Sequence, residues 1–104
     1  MTPQVFQILL SLADGPLHGY AVIAEIRERT GGEMQLTAST LYDALARLVD
    51  QKLIEAAPIA PDATPGDTRR RYYQLTAAGR TAAEQESSRL ARLLQMAREK
   101  RFHA

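Results

Sequence analysis

The segment from Leu36 to Thr76 limits the possible folds more than any other part of the chain. It reads LTASTLYDALARLVDQKLIEAAPIAPDATPGDTRRRYYQLT, and in it a helical repeat of leucines is followed by two short runs of strand-forming residues. Prolines, a glycine and aspartates separate the two runs, which is typical of a hairpin connection. The segment therefore predicts an amphipathic helix followed directly by a two-stranded antiparallel hairpin.

The helix of this segment has one apolar and one polar face. Either Thr37 or Ser39 supplies the capping hydroxyl at its start. The apolar face, at helical spacing, consists of Leu41, Leu45, Leu48 and Val49. The polar face consists of Ser39, Thr40, Asp43, Arg47 and Asp50, with Tyr42 at the boundary. Short polar side chains beside the unpaired amides of a helix N-terminus suit contact with phosphates and base edges.

The hairpin is basic and aromatic on its second arm. Its first strand begins at Leu53 and Ile54, with residues 57–59 as a continuation, and residues 58–68 form the loop. The return strand, residues 71–75, follows an arginine triplet, and alternation places Tyr73 on the inner face. The net charge is only +1, so the position of the arginines on this arm is more informative than the total. Taken alone, the charges also fit an ordinary solvated surface.

Two further helices are predicted before this segment. The first spans residues 3–13, with Thr2 as its cap and Asp14-Gly15-Pro16 as its end. The second spans approximately residues 18–30 and ends at Gly31-Gly32. Its predicted inward side chains are Tyr20, Val22, Ile23 and Ile26.

The last helix is predicted from Ala77 to about Arg101, capped by Thr76. At ~1.5 Å per residue it is about 37 Å long, more than a domain of this size can cover with its own core. Its apolar side consists of Ala82, Ala83, Leu90, Leu93, Leu94 and Ala97. This side needs a partner, which is either the first helix of the same chain or, as we favour, a second copy.

These elements predict a mainly α fold with a small two-stranded antiparallel wing: a winged helix-turn-helix DNA-binding domain at residues 1–76 and a C-terminal dimerisation helix and tail at residues 77–104. The chain has no cysteine, only two histidines, no glycine-rich phosphate loop and no clustered carboxylates. We therefore expect no enzyme activity, catalytic residue, metal site or cofactor. Without a basic leader or a membrane-length apolar run, the expected location is the cytoplasm.

Three segments in order resemble one known family. They are LADGPLHGYAVIAEI at residues 12–26, STLYDALARLVDQKLIE at 39–55 and RRYYQLTAAGR at 70–80. Together they are similar to the PadR-like transcriptional regulators, and the short C-terminal region resembles the compact subgroup with a single dimerisation helix. The resemblance implies a homodimeric, repressor-type transcription regulator that binds a near-palindromic operator in double-stranded DNA. It also implies a structural role for His18-Gly19-Tyr20, in which Gly19 allows close helix packing and Tyr20 anchors the second helix.

The site residues follow from the polar helix face and from this resemblance. The predicted DNA contacts are Thr37, Ser39, Thr40, Tyr42, Asp43, Arg47, Arg69, Arg70 and Arg71. The predicted dimer contacts are Val5, Phe6, Leu9, Leu90, Leu93, Leu94 and Ala97. Many relatives carry proline where this chain has Asp43, so that carboxylate either accepts a hydrogen bond from a cytosine amino group or repels phosphates.

Two alternatives remain open at the level of sequence. Relatives often respond to phenolic acids or hydrophobic drugs, so a small aromatic effector is a further possible partner. The same fold also serves as a protein interaction module that does not bind DNA.

Overall fold

The computed structural model describes residues 1–58 and 70–103. Residues 59–68 of the predicted loop, residue 59 at the end of the predicted first strand, and Arg69 lie outside the described residues. The elements in chain order are α1 (Pro3–Ser11), β1 (Leu17–His18), α2 (Gly19–Arg29), α3 (Ala38–Asp50), β2 (Ile54–Ala56), β3 (Tyr72–Leu75) and α4 (Ala77–Glu99).

Threonine side chains cap three of the four helices. The hydroxyl oxygens of Thr2, Thr37 and Thr76 accept hydrogen bonds from backbone N–H groups three residues later, at 3.1, 3.1 and 3.0 Å. Each bond satisfies an amide that has no partner within its helix. The predicted starts of α1 and α4 are confirmed, and Thr37, not Ser39, is the cap of α3.

The wing is part of a three-stranded antiparallel sheet with strand order β1-β3-β2. The predicted hairpin is confirmed: Ile54 pairs with Leu75, and Ala56 pairs with Tyr73. On the other side of β3, His18 pairs with Tyr72. His18 was expected to begin the second helix, and its place in a third short strand was not predicted from the sequence.

The core forms where α1, α2, α3 and the sheet meet. Its buried hydrophobic side chains are Ile8, Leu9, Leu12, Val22, Ile26, Leu36, Leu41, Leu45, Leu48, Ile54 and Tyr73. The inward orientation of Tyr73 is confirmed. Two other predictions are wrong, because Tyr20 is 61% exposed and Val49 is 39% exposed. Both lie at the edge of their helix's apolar face, where the core does not reach.

Helix α4 runs antiparallel to α1 and overlaps it along only part of its length. Near its start, the Arg80 guanidinium donates to the Ala13 carbonyl oxygen at 2.9 Å. Two turns later, the Glu86 side chain is still buried, at 8% exposure. Residues 87–99, called here the α4 overhang, continue past that point and are exposed except for Ala97. The first half of α4 thus packs on its own chain.

Candidate nucleic-acid interface

The outer face of α3 is exposed and polar. Leu41, Leu45 and Leu48 are at most 2% exposed, and their burial determines which side of the helix faces solvent. The predicted contacts on the exposed side are Ser39, Thr40, Tyr42, Asp43 and Arg47. The side chains of this face are thus accessible to a ligand that lies along α3.

The first turn of α3 is held by its own threonines. The Thr37 hydroxyl accepts the Thr40 N–H at 3.1 Å and donates to the Thr40 hydroxyl oxygen at 3.0 Å. Thr37 was predicted as a DNA contact, and the structure gives it a capping role. Ser39 and Thr40 remain accessible beside the first amides of the helix.

The polar face of α3 divides between two sides of the molecule. Arg47 lines a concavity of about 310 Å³ towards the start of α1, together with Met1, Val5 and Leu53. Asp50 and Tyr42 instead line a concavity of about 250 Å³ on the wing side, which Arg71 also borders. Arg47 is therefore separated from the arginines of the wing.

The described arginines of the wing lie just before β3. Both Arg70 and Arg71 are exposed. The strand pairing continues beyond β2, where the Ala57 N–H donates to the Tyr72 carbonyl oxygen at 2.9 Å. On the wing surface, the Gln74 amide donates to the Glu55 carboxylate at 2.8 Å. Backbone pairing therefore begins directly after the two arginines, which border concavities that Tyr42 of α3 also lines.

His18 connects the wing to the start of α2. Its Nδ1 accepts the Ala21 N–H at 3.2 Å, which caps α2. Its Nε2 lies 3.0 Å from Nη1 of Arg70, and its ring meets the ring of Tyr72 edge to face, with centroids 5.4 Å apart. The predicted structural role of His18 is therefore confirmed, and its contact with Arg70 adds a link that was not foreseen.

Gly19 allows α2 and α3 to approach each other closely, as predicted. A Cβ atom at this position would lie 2.7 Å from the Tyr42 hydroxyl oxygen and 2.8 Å from its Cζ. The Tyr42 ring therefore lies directly against the backbone of α2. Its hydroxyl is directed towards α2.

A concavity of about 320 Å³ lies where α2, α3 and the wing meet. We call it the cup, and its lining residues are His18, Tyr20, Tyr42, Arg70, Arg71 and Tyr73. Three of them were predicted as DNA contacts, and the structure brings these together. His18 and Tyr20 were not predicted to take part. The sequence signal that could have revealed them is the pair of polar aromatic residues that flank Gly19, the first residue of α2.

The predicted dimer contacts fall into two groups. Leu90, Leu93 and Leu94 on the α4 overhang are 40, 47 and 45% exposed. Val5, Phe6 and Ala97 are half-buried. The prediction for Leu9 is wrong. Its side chain is 0% exposed within its own chain, so it cannot contact a second subunit. Its position on α1 faces the core and not the surface.

Residues 1–58 and 70–103 contain neither a metal site nor a membrane span. No group of three or more histidine, aspartate or glutamate side chains there is arranged to hold a metal ion. No helix in these ranges combines the length and apolar character that a membrane span requires.

Comparison with known proteins supplies a family match. The model of the transcriptional regulator PadR-like family matches residues 8–85, which include the end of α1, all of α2, α3 and the sheet, and the first part of α4. A curated relative, an uncharacterised 37.1 kDa protein in transposon TN4556 of Streptomyces fradiae, is 43% identical over 86 residues, or 83% of this chain. The chain spans only 22% of that relative's length.

Solved structures share the fold. A PadR family transcription regulator from Clostridium difficile is 26% identical, with a TM-score of 0.80 over 94% of this chain and 97% of that one. Bacillus subtilis PadR in complex with operator DNA is 24% identical, with a TM-score of 0.67 over 82% of this chain and 46% of that one.

Proposed function

The chain belongs to the transcriptional regulator PadR-like family, and on that premise we propose that it regulates transcription by binding duplex DNA as a homodimer. The observation that carries the proposal is that the exposed polar face of α3 and the described arginines of the wing meet at the cup. Ser39, Thr40 and Tyr42 are exposed on α3, and Tyr42 lines the cup together with Arg70 and Arg71. A helix in the major groove with basic groups at its flank is the usual division between base contacts and phosphate contacts.

The comparison structures support this assignment. The solved Bacillus subtilis PadR is in complex with operator DNA, and its fold is similar to that of this chain. We propose that α3 enters the major groove with Ser39, Thr40 and Asp43 towards the bases. Tyr42, Arg70 and Arg71, with Arg69 preceding them, contact the sugar-phosphate backbone. Arg47, on the α1 side of α3, contacts the opposite edge of the groove, and Thr37 acts through the helix cap.

The exposed apolar residues of α4 support the homodimer. Gly79, Ala83, Glu86, Leu90, Leu93 and Ala97 follow one another at alternating spacings of four and three residues, the repeat of a coiled-coil seam. The first three pack on their own chain, and the next leucines are 40–47% exposed. A second α4 overhang would bury them, with Val5 and Phe6 at the edge. Residues 1–76 then bind DNA, and residues 77–104 form the dimerisation helix and tail.

A twofold axis through the paired overhangs determines the form of the operator. The two α3 helices reach successive major grooves on one side of the duplex when they are about 34 Å apart. The operator is then a near-palindrome. The protein acts in the cytoplasm as a repressor, and a small aromatic ligand that binds between subunits relieves repression. A thermal-shift screen with planar aromatic acids tests the last point, and no stabilisation across the panel counts against an effector of this class.

The DNA-binding proposal is tested with the full-length protein and a duplex selected from a random-sequence library. Affinity is measured by fluorescence anisotropy between about 50 and 200 mM salt. Each phosphate contact contributes about 0.9 to the log-log salt slope, so Arg71→Ala should lower the slope by about that amount per subunit. Arg27→Ala, which removes an exposed arginine from α2, should leave the slope unchanged. If the wild-type protein fails to bind any duplex, the interaction module becomes the better assignment.

Asp43→Asn distinguishes the two roles of that carboxylate. If Asp43 accepts a hydrogen bond from a cytosine amino group, the variant selects a different duplex at one symmetric position. If Asp43 only repels phosphates, the variant binds all duplexes more tightly and keeps the sequence preference.

A further inference from the structure

We propose that the cup seats one phosphodiester of the DNA backbone, so that α2 and the wing hold the same strand through Tyr20 and the two described arginines. This inference depends on the proposed DNA-binding function and adds Tyr20 and His18 to the binding surface. The sequence predicts a structural role for both residues and an inward orientation only for Tyr20.

The cup has the chemistry of an anion site. Its lining includes two guanidinium groups, from Arg70 and Arg71, one imidazole and three phenols. No carboxylate is among its lining residues in the described part of the chain. Asp50, the acidic group on this side of α3, lines the neighbouring concavity instead. Guanidinium and phenol groups donate hydrogen bonds to phosphate oxygens, so an anionic ligand is favoured here.

Packing fixes two walls of the cup before any ligand arrives. Tyr42 lies against the Gly19 backbone, where an added Cβ would come within 2.7 Å of its hydroxyl oxygen. His18 is held by the Ala21 N–H and by the Tyr72 ring, and its Nε2 contacts Arg70 at 3.0 Å. Groups that are already in place lose less conformational entropy on binding than mobile ones.

Tyr20 is the residue that packing within the chain does not explain. At 61% it is more exposed than the other tyrosines of the cup, although it follows directly after a buried glycine at the start of α2. An exposed phenol beside two arginines presents a ring for packing against a sugar and a hydroxyl for a phosphate oxygen. We therefore assign Tyr20 as a backbone contact.

The position of the cup favours a phosphodiester over a base or a free anion. Tyr42 joins the cup to the exposed face of α3, so a duplex that receives α3 in its groove brings a backbone strand to this rim. The volume of about 320 Å³ also exceeds what a lone phosphate needs, and it leaves room for the adjoining sugar. The ligand is thus one linkage of a continuous strand.

The test uses the full-length protein and its selected duplex, in which each phosphate in turn is replaced by a neutral methylphosphonate. In the wild-type protein, the methylphosphonate at one position of each half-site, where the phosphate occupies the cup, should weaken binding. Tyr20→Ala should weaken binding to the unmodified duplex and make the protein insensitive to that replacement, while the other replacements keep their effects. Tyr20→Phe should cost about ten- to 150-fold in affinity, because it removes one hydrogen bond to a charged group. It should leave the salt slope unchanged, because the phenol is neutral.

Gly19→Ala provides an independent variant. The new methyl group meets the end of the Tyr42 side chain, which can swing aside, so the variant should keep its fold and lose the same phosphate sensitivity. Circular dichroism and thermal unfolding verify the fold, and Arg27→Ala is the control for an unrelated exposed residue.

The outcomes separate the two proposals. If the wild-type protein binds the duplex, and Tyr20→Ala and Gly19→Ala respond to each methylphosphonate as the wild type does, the cup does not seat a phosphodiester. The proposed DNA-binding function then remains intact. Absence of wild-type binding to any duplex overturns both. A further outcome is that inorganic phosphate competes with the duplex more strongly than its ionic strength explains, while both variants keep the wild-type response to methylphosphonates. That result would assign the cup to a free anion and would also overturn the inference.

Discussion

Helices α3 and α4 have similar leucine patterns, and the fold uses them in opposite ways. In α3, Leu41, Leu45 and Leu48 are 0, 1 and 2% exposed. In the α4 overhang, Leu90, Leu93 and Leu94 are 40, 47 and 45% exposed. The difference lies in what surrounds each helix: α3 packs against α2 and β2, whereas the overhang continues past the start of α1. An amphipathic helix therefore indicates that a partner is needed, but not where the partner comes from.

The largest expected effect comes from removing one leucine of each helix. Leu45→Ala should lower the free energy of unfolding by about 2–5 kcal/mol, because it leaves a cavity in a filled core. Leu93→Ala should cost much less in a dissociated subunit, and its effect should grow with protein concentration. Urea unfolding at two concentrations measures both. Equal, concentration-independent losses would mean that the overhang is buried within its own chain.

The pairing of overhangs is tested by placing charge on the exposed leucines. Leu90→Arg combined with Leu94→Arg should give monomers that bind the selected duplex at least about 100-fold more weakly, because the second half-site is lost. Ser88→Arg combined with Gln95→Arg adds the same charge to the opposite side of α4 and should leave the dimer intact. Analytical ultracentrifugation gives the oligomeric state, and a persistent dimer of the leucine variant would place the interface elsewhere.

The packing between the start of α4 and the segment that follows α3 can be tested at Gly79. A Cβ there would clash with the Leu53 carbonyl oxygen, which also accepts the Thr76 N–H at 3.1 Å. Gly79→Ala should therefore lower the free energy of unfolding by about 1–3 kcal/mol, the usual range for overpacking. Ala78→Val adds volume at an exposed neighbouring position and should cost less than about 1 kcal/mol. Similar decreases in the free energy of unfolding for the two variants would show that the backbone near Leu53 moves easily to accept the added methyl group.

The smallest expected effect concerns the charged pair Glu86–Arg89, where the overhang begins. Arg89 donates to both carboxylate oxygens of Glu86 at 2.7 Å, and these bonds hold the pKa of the Glu86 carboxyl below its ordinary value. A lowered pKa in the folded state adds stability above the unfolded-state pKa of about 4.3, and this stability is lost as pH falls through the folded value. Arg89→Leu should therefore lower Tm slightly at neutral pH and not at all below that range. Arg92→Leu is the control, and a Tm difference independent of pH would contradict the assignment.

Several features of the fold were predictable because their causes are local. The threonine caps at Thr2 and Thr76 and the pairing of β2 with β3 depend on residues close in sequence or on turn-forming side chains between them. The leucine spacing of α3 likewise defined its buried face. The close approach at Gly19 was predicted as well, through the family resemblance.

The cup was only half predictable for a physical reason. Tyr42, Arg70 and Arg71 were candidates because of their chemistry and position, whereas Tyr20 was assigned to the core from its spacing in α2. Spacing defines a face but not its width, and a residue at the edge of the face is buried only if a neighbouring element reaches it. The same reason explains the exposure of Val49.

The sequence by itself determined the positions of the helices α1 to α4 and of the β2–β3 hairpin, the starts of α1 and α4, and which residues carry charge and phenol groups. Those properties follow from backbone geometry, capping and periodicity within a few residues. Only the tertiary structure decided that His18 joins the sheet, that Leu9 points into the core, and that the apolar side of α4 is covered as far as Glu86 and then exposed. These outcomes depend on how far each element extends against its neighbours, which is a property of the packed chain and not of any single segment.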